Sequence, residues 1–538
     1  MRSRTMLRAA LVVAGGLVLS NFTGFLARIL IARAFGTGAD NDAFRAAFRI
    51  PDLLYTLLAG GALGSAFIPT FATYLATGQG QRAWTLARAV ALRVLLVLAA
   101  VALVVAILAP FIMRAGIVPG FAPDQADLTA VLMRIMLIST VIFSVSGLLM
   151  GILQSNGTFL AAALAPSFYN VGMIIGATLL NKFGIYGLAI GVVIGALLHL
   201  FVQLPALRRV LRETTTDDRP LTTDDESAVV GGRSSVVTSD VAQILRMMGP
   251  RVLGLGAVQV NFIVNTRIAS QMQTGAVSAL DTAFAIMILP LAAIAQSIGT
   301  ALFPEISKHA ARGDKSAFSQ AVTKALNVIL ALSAPAALGL AMLGEPLIRI
   351  LFERGAFTAQ STQFVAVALA WFALGLIAHA ALEVIARAFY ALKDSTRPAL
   401  LSVLSMVLNV PLSLILARLF EQWGWLPFGG LALAMSASTI IEVVLLFVLL
   451  TRRAPEVGLR PTAIALLKAL LATAVMGLAI WGWQRVVGQG DGAALGAILI
   501  AAVVYFGAAS LLKLEAIQML RELVLRRLGR EPAPHNTI

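Results

Sequence analysis

The chain has 538 residues, of which 59% are hydrophobic and only 12% are charged, whereas soluble domains carry roughly 25% charged residues. This composition excludes a string of soluble domains and predicts a polytopic membrane protein, because apolar runs of about 20 residues suit spanning helices. The net charge of +15 fits basic cytoplasmic loops beside anionic lipid better than nucleic-acid binding. The sequence has no Cys, which excludes disulfides and thiolate metal sites, and we expect no metal or cofactor.

The hydropathy pattern predicts an all-α integral membrane fold with about 14 transmembrane helices. The candidate spans lie near residues 7–33, 41–75, 84–112, 128–153, 158–180, 185–207, 241–271, 276–304, 318–344, 361–390, 398–418, 427–450, 462–484 and 492–513. The second and eighth spans contain Pro51, Pro69, Pro290 and Pro304. We expect these prolines to kink or break their helices, which is tolerated where the backbone lines a cavity.

The loops between the predicted spans differ in their Lys and Arg content. The loops on the N-terminal side hold most of these residues, including Arg208, Arg209, Arg452 and Arg453. Basic residues are retained on the cytoplasmic side of a membrane, and an even number of spans puts both termini on one side. The sequence therefore predicts that both termini are cytoplasmic.

The long polar tract at residues 213–239 lacks apolar periodicity and predicts a disordered cytoplasmic linker. It separates a predicted N-terminal six-helix lobe, residues 1–212, from a predicted C-terminal six-helix lobe, residues 240–455. Residues 456–514 would add two further transmembrane helices. Residues 515–538 would form an amphipathic basic tail at the interface, the alternative being a frayed tail.

One offset of 239 residues relates polar and proline positions in the two halves. It carries Arg28 onto Arg267, Asp42 onto Asp281, Pro51 onto Pro290 and Asn170 onto Asn409. Four matches at one offset, each in a corresponding apolar segment, indicate an internal duplication. Polar groups at matching depths are typical of a transporter whose site lies between its repeats. We therefore expect two pseudo-twofold lobes around a central cavity.

Arg28 and Arg267 are candidate substrate-binding residues, because Arg inside a span is costly unless it meets water or a partner. One from each half, they would face the central cavity, where the guanidinium fork suits phosphate oxygens. The alternative is that each snorkels to an interface or neutralises a nearby Asp. Arg45 and Arg49, four residues apart on the second span, would extend this cationic face or lie at an interface near Asp42 and Asp52.

Further polar residues inside the spans have a binding and a structural interpretation. Asp42 is a candidate binding residue, but it could instead cap the second helix or pair with an Arg. Asn170, like Asn409, could contact a substrate or form a hydrogen bond between helices. Glu383 and Arg387, four residues apart in the tenth span, are expected to neutralise each other.

The first two spans also carry residues that resemble a known family. The matching residues are Gly24-Phe25, Ala32-Arg33, Phe35-Gly36, Gly38, Asp42-Ala43-Phe44, Ala47-Phe48, Pro51, Leu53-Leu54, Gly61-Ala62 and Ala66-Phe67-Ile68-Pro69, with further matches at Pro119-Gly120-Phe121, Gln203-Leu204-Pro205, Met248-Gly249-Pro250, Asn265-Thr266 and Leu302-Phe303-Pro304. The pattern is similar to that of MurJ (MviN) proteins, the lipid II flippases of the MOP exporter superfamily. The fourteen-helix layout fits along the whole chain.

The chain departs from this family at residues that the family's transport is thought to use. The family usually has Arg at the positions of Asn21, Tyr55 and Ala285, an Arg-Asp pair at those of Ala27-Arg28, and Glu at that of Gly60. Asp42 is kept. If these departures alter recognition, the substrate would differ from that of the family.

The resemblance implies a flippase, and no enzymatic activity. It would move lipid II, an undecaprenyl-pyrophosphate-linked glycan, from the inner to the outer leaflet of the bacterial cytoplasmic membrane by alternating access. The implied partners are this lipid-linked glycan, membrane lipids and the cell-wall synthesis machinery, with a monomer as the working form. No nucleotide-binding motif is present in the sequence, so coupling to a monovalent cation or to the membrane potential is expected.

Four alternatives remain open at the level of sequence. A flippase for another polyprenyl-pyrophosphate-linked glycan and a non-transporting paralogue acting as a scaffold are both favoured by the missing arginines. A cation-coupled multidrug exporter of the same superfamily would need acidic groups in its cavity. An integral-membrane glycosyltransferase would need catalytic carboxylates at a membrane face and a sizeable polar loop.

Overall fold

The structure is a computed structural model that describes residues 2–60, 62–215, 256, 259–488 and 490–518. Regular structure in this described part is entirely helical. Twelve of its helices are long and apolar enough to cross a membrane. The predicted all-α membrane fold is confirmed, and the count is close to the 14 expected.

The predicted second and seventh spans are not among the twelve, and each includes residues outside the described part. The second is described as a helix at Ala39–Leu54, a π-helical segment at Tyr55–Gly60 and, beyond residue 61, a helix at Ala62–Ala76. Of the seventh, the helical segment 259–269 is described, whereas most of residues 241–258 lie outside the described part.

The predicted prolines account for where these interruptions fall. Pro51 lies inside its helix just before the π-helical segment Tyr55–Gly60. Pro290, the counterpart of Pro51 at the offset of 239, likewise lies shortly before a π-helical segment, Ala292–Gln296. Proline lacks the N–H that an α-helix needs and its ring crowds the preceding turn, so a wider turn nearby relieves both problems. The two halves of the chain thus share a local irregularity at the offset noted above.

The described residues divide into two compact units. Unit 1 runs to Ser278 and includes Arg354–Thr358, and unit 2 contains Ala279–Glu353 and the residues from Ala359 onward. The boundary after Ser278 lies downstream of the predicted linker at residues 213–239. Most of this linker and most of the predicted tail lie outside the described residues. The lobe bounds, the linker and the pseudo-twofold relation stay predictions.

Unit 1 contains eight labelled helices and the segment 259–269. They are α1 (Arg2–Phe35), α2 (Ala39–Leu54), α3 (Ala62–Ala76), α4 (Gly80–Ile107), α5 (Pro123–Ser155), α6 (Phe159–Thr178), α7 (Ile185–Phe201) and α8 (Leu204–Thr215). Helices α6 and α7 cross closely, since a Cβ added to Gly172 would lie 2.2 Å from the Cα of Gly195. Small residues permit such an approach between membrane helices.

Unit 2 continues with eight further helices. They are α9 (Ala276–Leu291), whose first turn belongs to unit 1, α10 (Ser297–Arg312), α11 (Lys315–Phe352), α12 (Ala359–Ala391), α13 (Thr396–Gln422), α14 (Pro427–Arg453), α15 (Leu459–Val487) and α16 (Asp491–Leu511). The two C-terminal helices pack on α11 through a core that includes Leu343, Met476 and Tyr505. The Tyr505 hydroxyl donates a hydrogen bond to the Ala331 carbonyl of α11.

Candidate functional site

The turn between α1 and α2 fixes the direction in which α2 leaves the end of α1. Gly36 adopts a positive φ of 57°, and a Cβ there would lie 2.2 Å from the Ala356 carbonyl oxygen. Only glycine fits this position without strain. The Ala356 N–H donates to the Arg33 carbonyl at 2.8 Å, so the 354–358 segment packs directly on the turn.

Asp42 is buried, with 1% of its surface exposed. Its carboxylate accepts hydrogen bonds from the backbone N–H groups of Gly275, at 2.6 Å, and Ser278, at 2.7 Å. These donors lie at the first turn of α9, where helix N–H groups lack partners within the helix. Helix α2 itself begins after Gly38 with no side-chain cap. The expectation that Asp42 could cap its own helix is therefore wrong, since it caps a helix that lies far away in the sequence.

Arg45 and Arg49 both lie half-buried on α2 and contact polar and aromatic neighbours. The Arg45 Nε donates to the Asn41 Oδ1 at 3.3 Å. The Arg49 Nε donates to the Thr266 Oγ1 at 3.0 Å, and its Cζ lies 5.3 Å from the centre of the Phe262 ring. Each guanidinium is thus oriented by contacts with the protein.

Arg28, Arg45, Arg49 and Asp52 form a group that we call the α1–α2 charge cluster. Arg28 is exposed on α1, and the charges of Arg28, Arg45 and Asp52 all act on the Tyr169 hydroxyl of α6. Asp52 accepts a hydrogen bond from the Gln259 Nε2 at 3.1 Å. The cluster therefore combines charged residues of α1 and α2 beside α6 and the 259–269 segment, and the binding roles of Arg28, Arg45 and Arg49 stay predictions.

An aromatic group lies beside this cluster. The Phe143 ring centre is 5.0 Å from that of Tyr55 and 5.1 Å from that of Tyr169. Tyr55 is one of the positions at which the sequence departs from the family pattern. Its ring packs on Phe143 of α5 rather than adding a positive charge, so this edge of the cluster is less cationic than the family pattern would make it.

Asn170 holds two helices of unit 1 together. It is 8% exposed, and its Nδ2 donates to the Ser20 carbonyl at 3.0 Å and to the Thr23 Oγ1 at 3.1 Å. The contact joins α6 to α1, which favours the interhelical interpretation. Its counterpart Asn409 is fully buried and accepts from the Ser413 Oγ at 3.4 Å.

Arg267 occupies a different environment from Arg28. Its guanidinium donates to the Ala115 carbonyl at 2.5 Å and also to the Gly116 carbonyl. These carbonyls belong to the π-helical segment Ile112–Ile117, where the irregular backbone leaves acceptors available. Arg267 thus stabilises a turn of unit 1, and its predicted role opposite Arg28 stays a prediction.

Sequence reasoning predicted one ion pair of unit 2 and missed a neighbouring acid. Arg387 forms an ion pair with Glu383, as expected. Glu442 on α14 is 6% exposed and accepts from the Ser402 Oγ at 2.5 Å. The sequence feature that could have identified Glu442 is a single acidic residue within an apolar span. Asp52 was noted only as a neighbour of the arginines, although it completes the charge cluster.

Comparisons with known proteins agree with the sequence resemblance. The family profile described as "Lipid II flippase MurJ" matches residues 31–499. A relative from Bdellovibrio bacteriovorus, described as "Probable lipid II flippase MurJ", is 32% identical over 529 residues, which cover 96% of this chain and 97% of the relative.

Two solved structures have folds similar to that of this chain. The structure titled "Lipid II flippase MurJ, inward closed conformation" aligns with a TM-score of 0.75 at 23% identity, covering 96% of this chain and 100% of that chain. An inward-facing MATE multidrug transporter of the MOP superfamily aligns with a TM-score of 0.64 at 16% identity, covering 81% of this chain and 95% of that chain. These similarities confirm the superfamily fold. With the profile and the close relative, they show that this chain belongs to the MurJ family of lipid II flippases.

Proposed function

We propose that this protein translocates lipid II from the inner to the outer leaflet of the bacterial cytoplasmic membrane. The family assignment supports the substrate, and the α1–α2 charge cluster is the observation that carries the mechanism. A pyrophosphate headgroup pays a large desolvation penalty in hydrocarbon. Three arginines in an apolar helical unit, balanced by one Asp, offset part of that penalty.

The geometry of the cluster suits a diphosphate better than a single anionic atom. A guanidinium presents five N–H donors in a fixed fork, and Arg45 and Arg49 each use one Nε donor on the protein. A guanidinium fork matches two phosphate oxygens at once. Asp52 keeps the arginines from repelling one another when no substrate is bound.

The cycle that we propose is alternating access without chemical change in the substrate. The headgroup binds at the cluster while the site is open to the cytoplasm, and the protein then reorients. An ion gradient or the membrane potential would supply the driving force, and the protein would act as a monomer beside the cell-wall synthesis machinery. Both termini would lie in the cytoplasm, as the distribution of Lys and Arg predicts.

A second substrate merits consideration because of Tyr55. Its ring packs against Phe143 at a position where the family usually carries Arg. Less positive charge would weaken binding of the pyrophosphate and leave more of the recognition to the glycan. A flippase for another polyprenyl-pyrophosphate-linked glycan is therefore the alternative to lipid II.

Complementation of a strain depleted of its own flippase tests the proposal. Arg28→Ala and Arg49→Ala should abolish growth at normal protein levels, because each removes a phosphate-binding fork. Arg28→Lys and Arg49→Lys should restore charge without the fork and support partial growth. Arg82→Ala is the matched control, since Arg82 is exposed and bonds only to the Gln79 side chain among its described contacts. Full growth of both Ala variants would show that the cluster is structural.

A further inference from the structure

Glu442 is a buried carboxyl group whose partners are hydroxyl groups. The Ser402 Oγ donates to its Oε1 at 2.5 Å, and the Ser405 hydroxyl, one turn further along α13, lies near it. Within the described part of the chain, no Lys, Arg or His forms an ion pair with it. The carboxyl is therefore solvated by neutral groups alone.

Such an environment makes the charge of Glu442 costly. A carboxylate inside a membrane helix without a nearby positive charge must recover its lost hydration from hydrogen bonds, and two hydroxyls recover only part of it. A bound proton removes the cost altogether. Hydroxyl partners can serve both forms, because a hydroxyl can donate to a carboxylate or accept from a carboxylic acid.

A cavity of about 380 Å³ gives this group a route to water. Glu383, Arg387, Tyr390 and Ser402 are among its lining residues, and the volume is enough for several water molecules. Ser402 is the residue that both lines the cavity and bonds to Glu442. One hydroxyl thus separates the buried carboxyl from the cavity.

The other charged groups near Glu442 largely balance one another. From α12, Glu383 and Arg387 form an ion pair, and the Tyr390 hydroxyl lies within reach of the charges of both and of Glu442. His379, also on α12, is 3.4 Å from the Thr439 hydroxyl, almost one helical turn before Glu442 on α14. Helix α13 faces Glu442 with the Ser402 and Ser405 hydroxyls.

The charged residues at the ends of these helices are also partnered or distant. Arg397 at the start of α13 and Arg453 at the end of α14 both pair with Asp394. Arg418 and Glu421 lie at the opposite end of α13, four to five turns from Ser402. Glu442 is therefore the acid of this region that has no opposite charge beside it.

We propose that Glu442 is a proton-binding site, loaded from the cavity through Ser402, and that its protonation is coupled to translocation. The coupling part rests on the proposed flippase function. In the loading step, a protonated water in the cavity gives a proton to the Ser402 Oγ while Ser402 passes its own proton to the Glu442 Oε1. The carboxylate becomes a neutral acid, Ser402 ends unchanged, and release reverses the same transfers.

Infrared difference spectroscopy of the full-length protein in liposomes tests the proton site without substrate. As the pH is lowered, the wild type should gain a C=O stretch of a protonated carboxylic acid that Glu442→Gln does not gain, and this difference is the Glu442 band. Glu383→Gln is the matched control and should keep the band, because Glu383 pairs with Arg387 and does not bond to Ser402 in the described contacts. Ser402→Ala should keep the band but move its midpoint to higher pH, since the lost donor stabilises the carboxylate. A band that does not change with pH, or identical spectra in wild type and Glu442→Gln, would overturn the site.

Coupling is measured with lipid II in the same liposomes, with the membrane potential clamped and a pH gradient imposed. One coupled proton can shift the leaflet ratio by up to about tenfold per pH unit. We expect the wild type to move lipid II towards that ratio, and Glu442→Gln to leave it equally distributed. If the wild type flips lipid II but its leaflet ratio does not depend on the pH gradient, the coupling is contradicted. The flippase proposal is not affected by that result. Absence of any flipping by the wild type would instead contradict the flippase proposal and with it the coupling, and the infrared band would then decide the proton site alone.

Discussion

Asp42 shows how a single residue can link distant parts of the chain. The sequence placed it correctly at the start of α2, where Asp is a common cap. Its carboxylate instead receives the N–H groups of Gly275 and Ser278. The position within a local motif could be predicted, but the partner could not, because it lies more than 200 residues away in the sequence.

Replacing Asp42 should destabilise unit 1. Asp42→Ala leaves two buried N–H groups without an acceptor, and we expect the free energy of unfolding to fall by about 2–4 kcal/mol. Asp42→Asn keeps one carbonyl acceptor and should lose about half as much. Thermal or denaturant unfolding of the purified protein measures both.

Asp40 provides the control for this prediction. It lies on the same first turn of α2 but is exposed, so Asp40→Ala should change stability little. If Asp42→Ala unfolds like the wild type but does not support growth, Asp42 acts on the substrate and the capping account is wrong.

The arginines illustrate the limits of sequence reasoning at the same scale. Their cost in an apolar span correctly marked Arg28, Arg45 and Arg49 as residues that need polar surroundings. The offset also suggested that Arg267 would match Arg28, but equal positions in a repeat do not ensure equal partners. The Arg267 guanidinium instead donates to the Ala115 and Gly116 carbonyls. These carbonyls are available as acceptors because the backbone there is irregular.

At the scale of elements, the prolines predicted where helices would break but not the form of the break. A proline removes one helix hydrogen bond wherever it stands. Whether the helix then kinks, ends or widens into a π turn depends on its neighbours. After Pro51 and Pro290 the chain widens into a π-helical segment.

The crossing of α6 and α7 is an element-scale contact with a direct test. Gly172→Ala places a methyl group against Gly195, where a Cβ would lie 2.2 Å from the Cα. We expect a loss of about 1–3 kcal/mol from overpacking, measured as a lower midpoint of unfolding.

Gly339→Ala is the matched control for this crossing. Gly339 lies inside α11, and a Cβ added to it would have no atom of another residue within 4 Å beyond its own helix backbone and chain neighbours. Alanine favours helix more than glycine does, so this variant should be neutral or more stable by up to about 1 kcal/mol. Equal behaviour of the two variants would show that the crossing does not depend on close approach.

At the scale of the whole molecule, composition alone predicted the fold class. Twelve apolar helices and membership of the MurJ family make this a multi-pass protein of the bacterial inner membrane. The predicted count of 14 spans is close to the twelve found in the described residues. The distribution of Lys and Arg predicts on which side of the membrane the termini lie, which the fold alone does not reveal.

Labelling of single cysteines tests that orientation on a background that contains no natural Cys. Cys introduced at Ser227 or Thr537 should resist an impermeant thiol reagent added to intact cells, because both segments are predicted to be cytoplasmic. Both sites should react after the membrane is opened. Labelling of either site in intact cells would reverse the predicted topology.

The most direct test of the central claim is transport of lipid II by the purified protein in liposomes. Fluorescent lipid II is placed in both leaflets, and a quencher that cannot cross the membrane reports how fast the inner pool becomes accessible. The account predicts rapid exchange with the wild type and with Arg82→Ala, and exchange no faster than in protein-free liposomes with Arg28→Ala and Arg49→Ala. Exchange of a different undecaprenyl-pyrophosphate-linked glycan, but not of lipid II, would contradict the proposed substrate, and fast exchange by both Arg variants would contradict the proposed site.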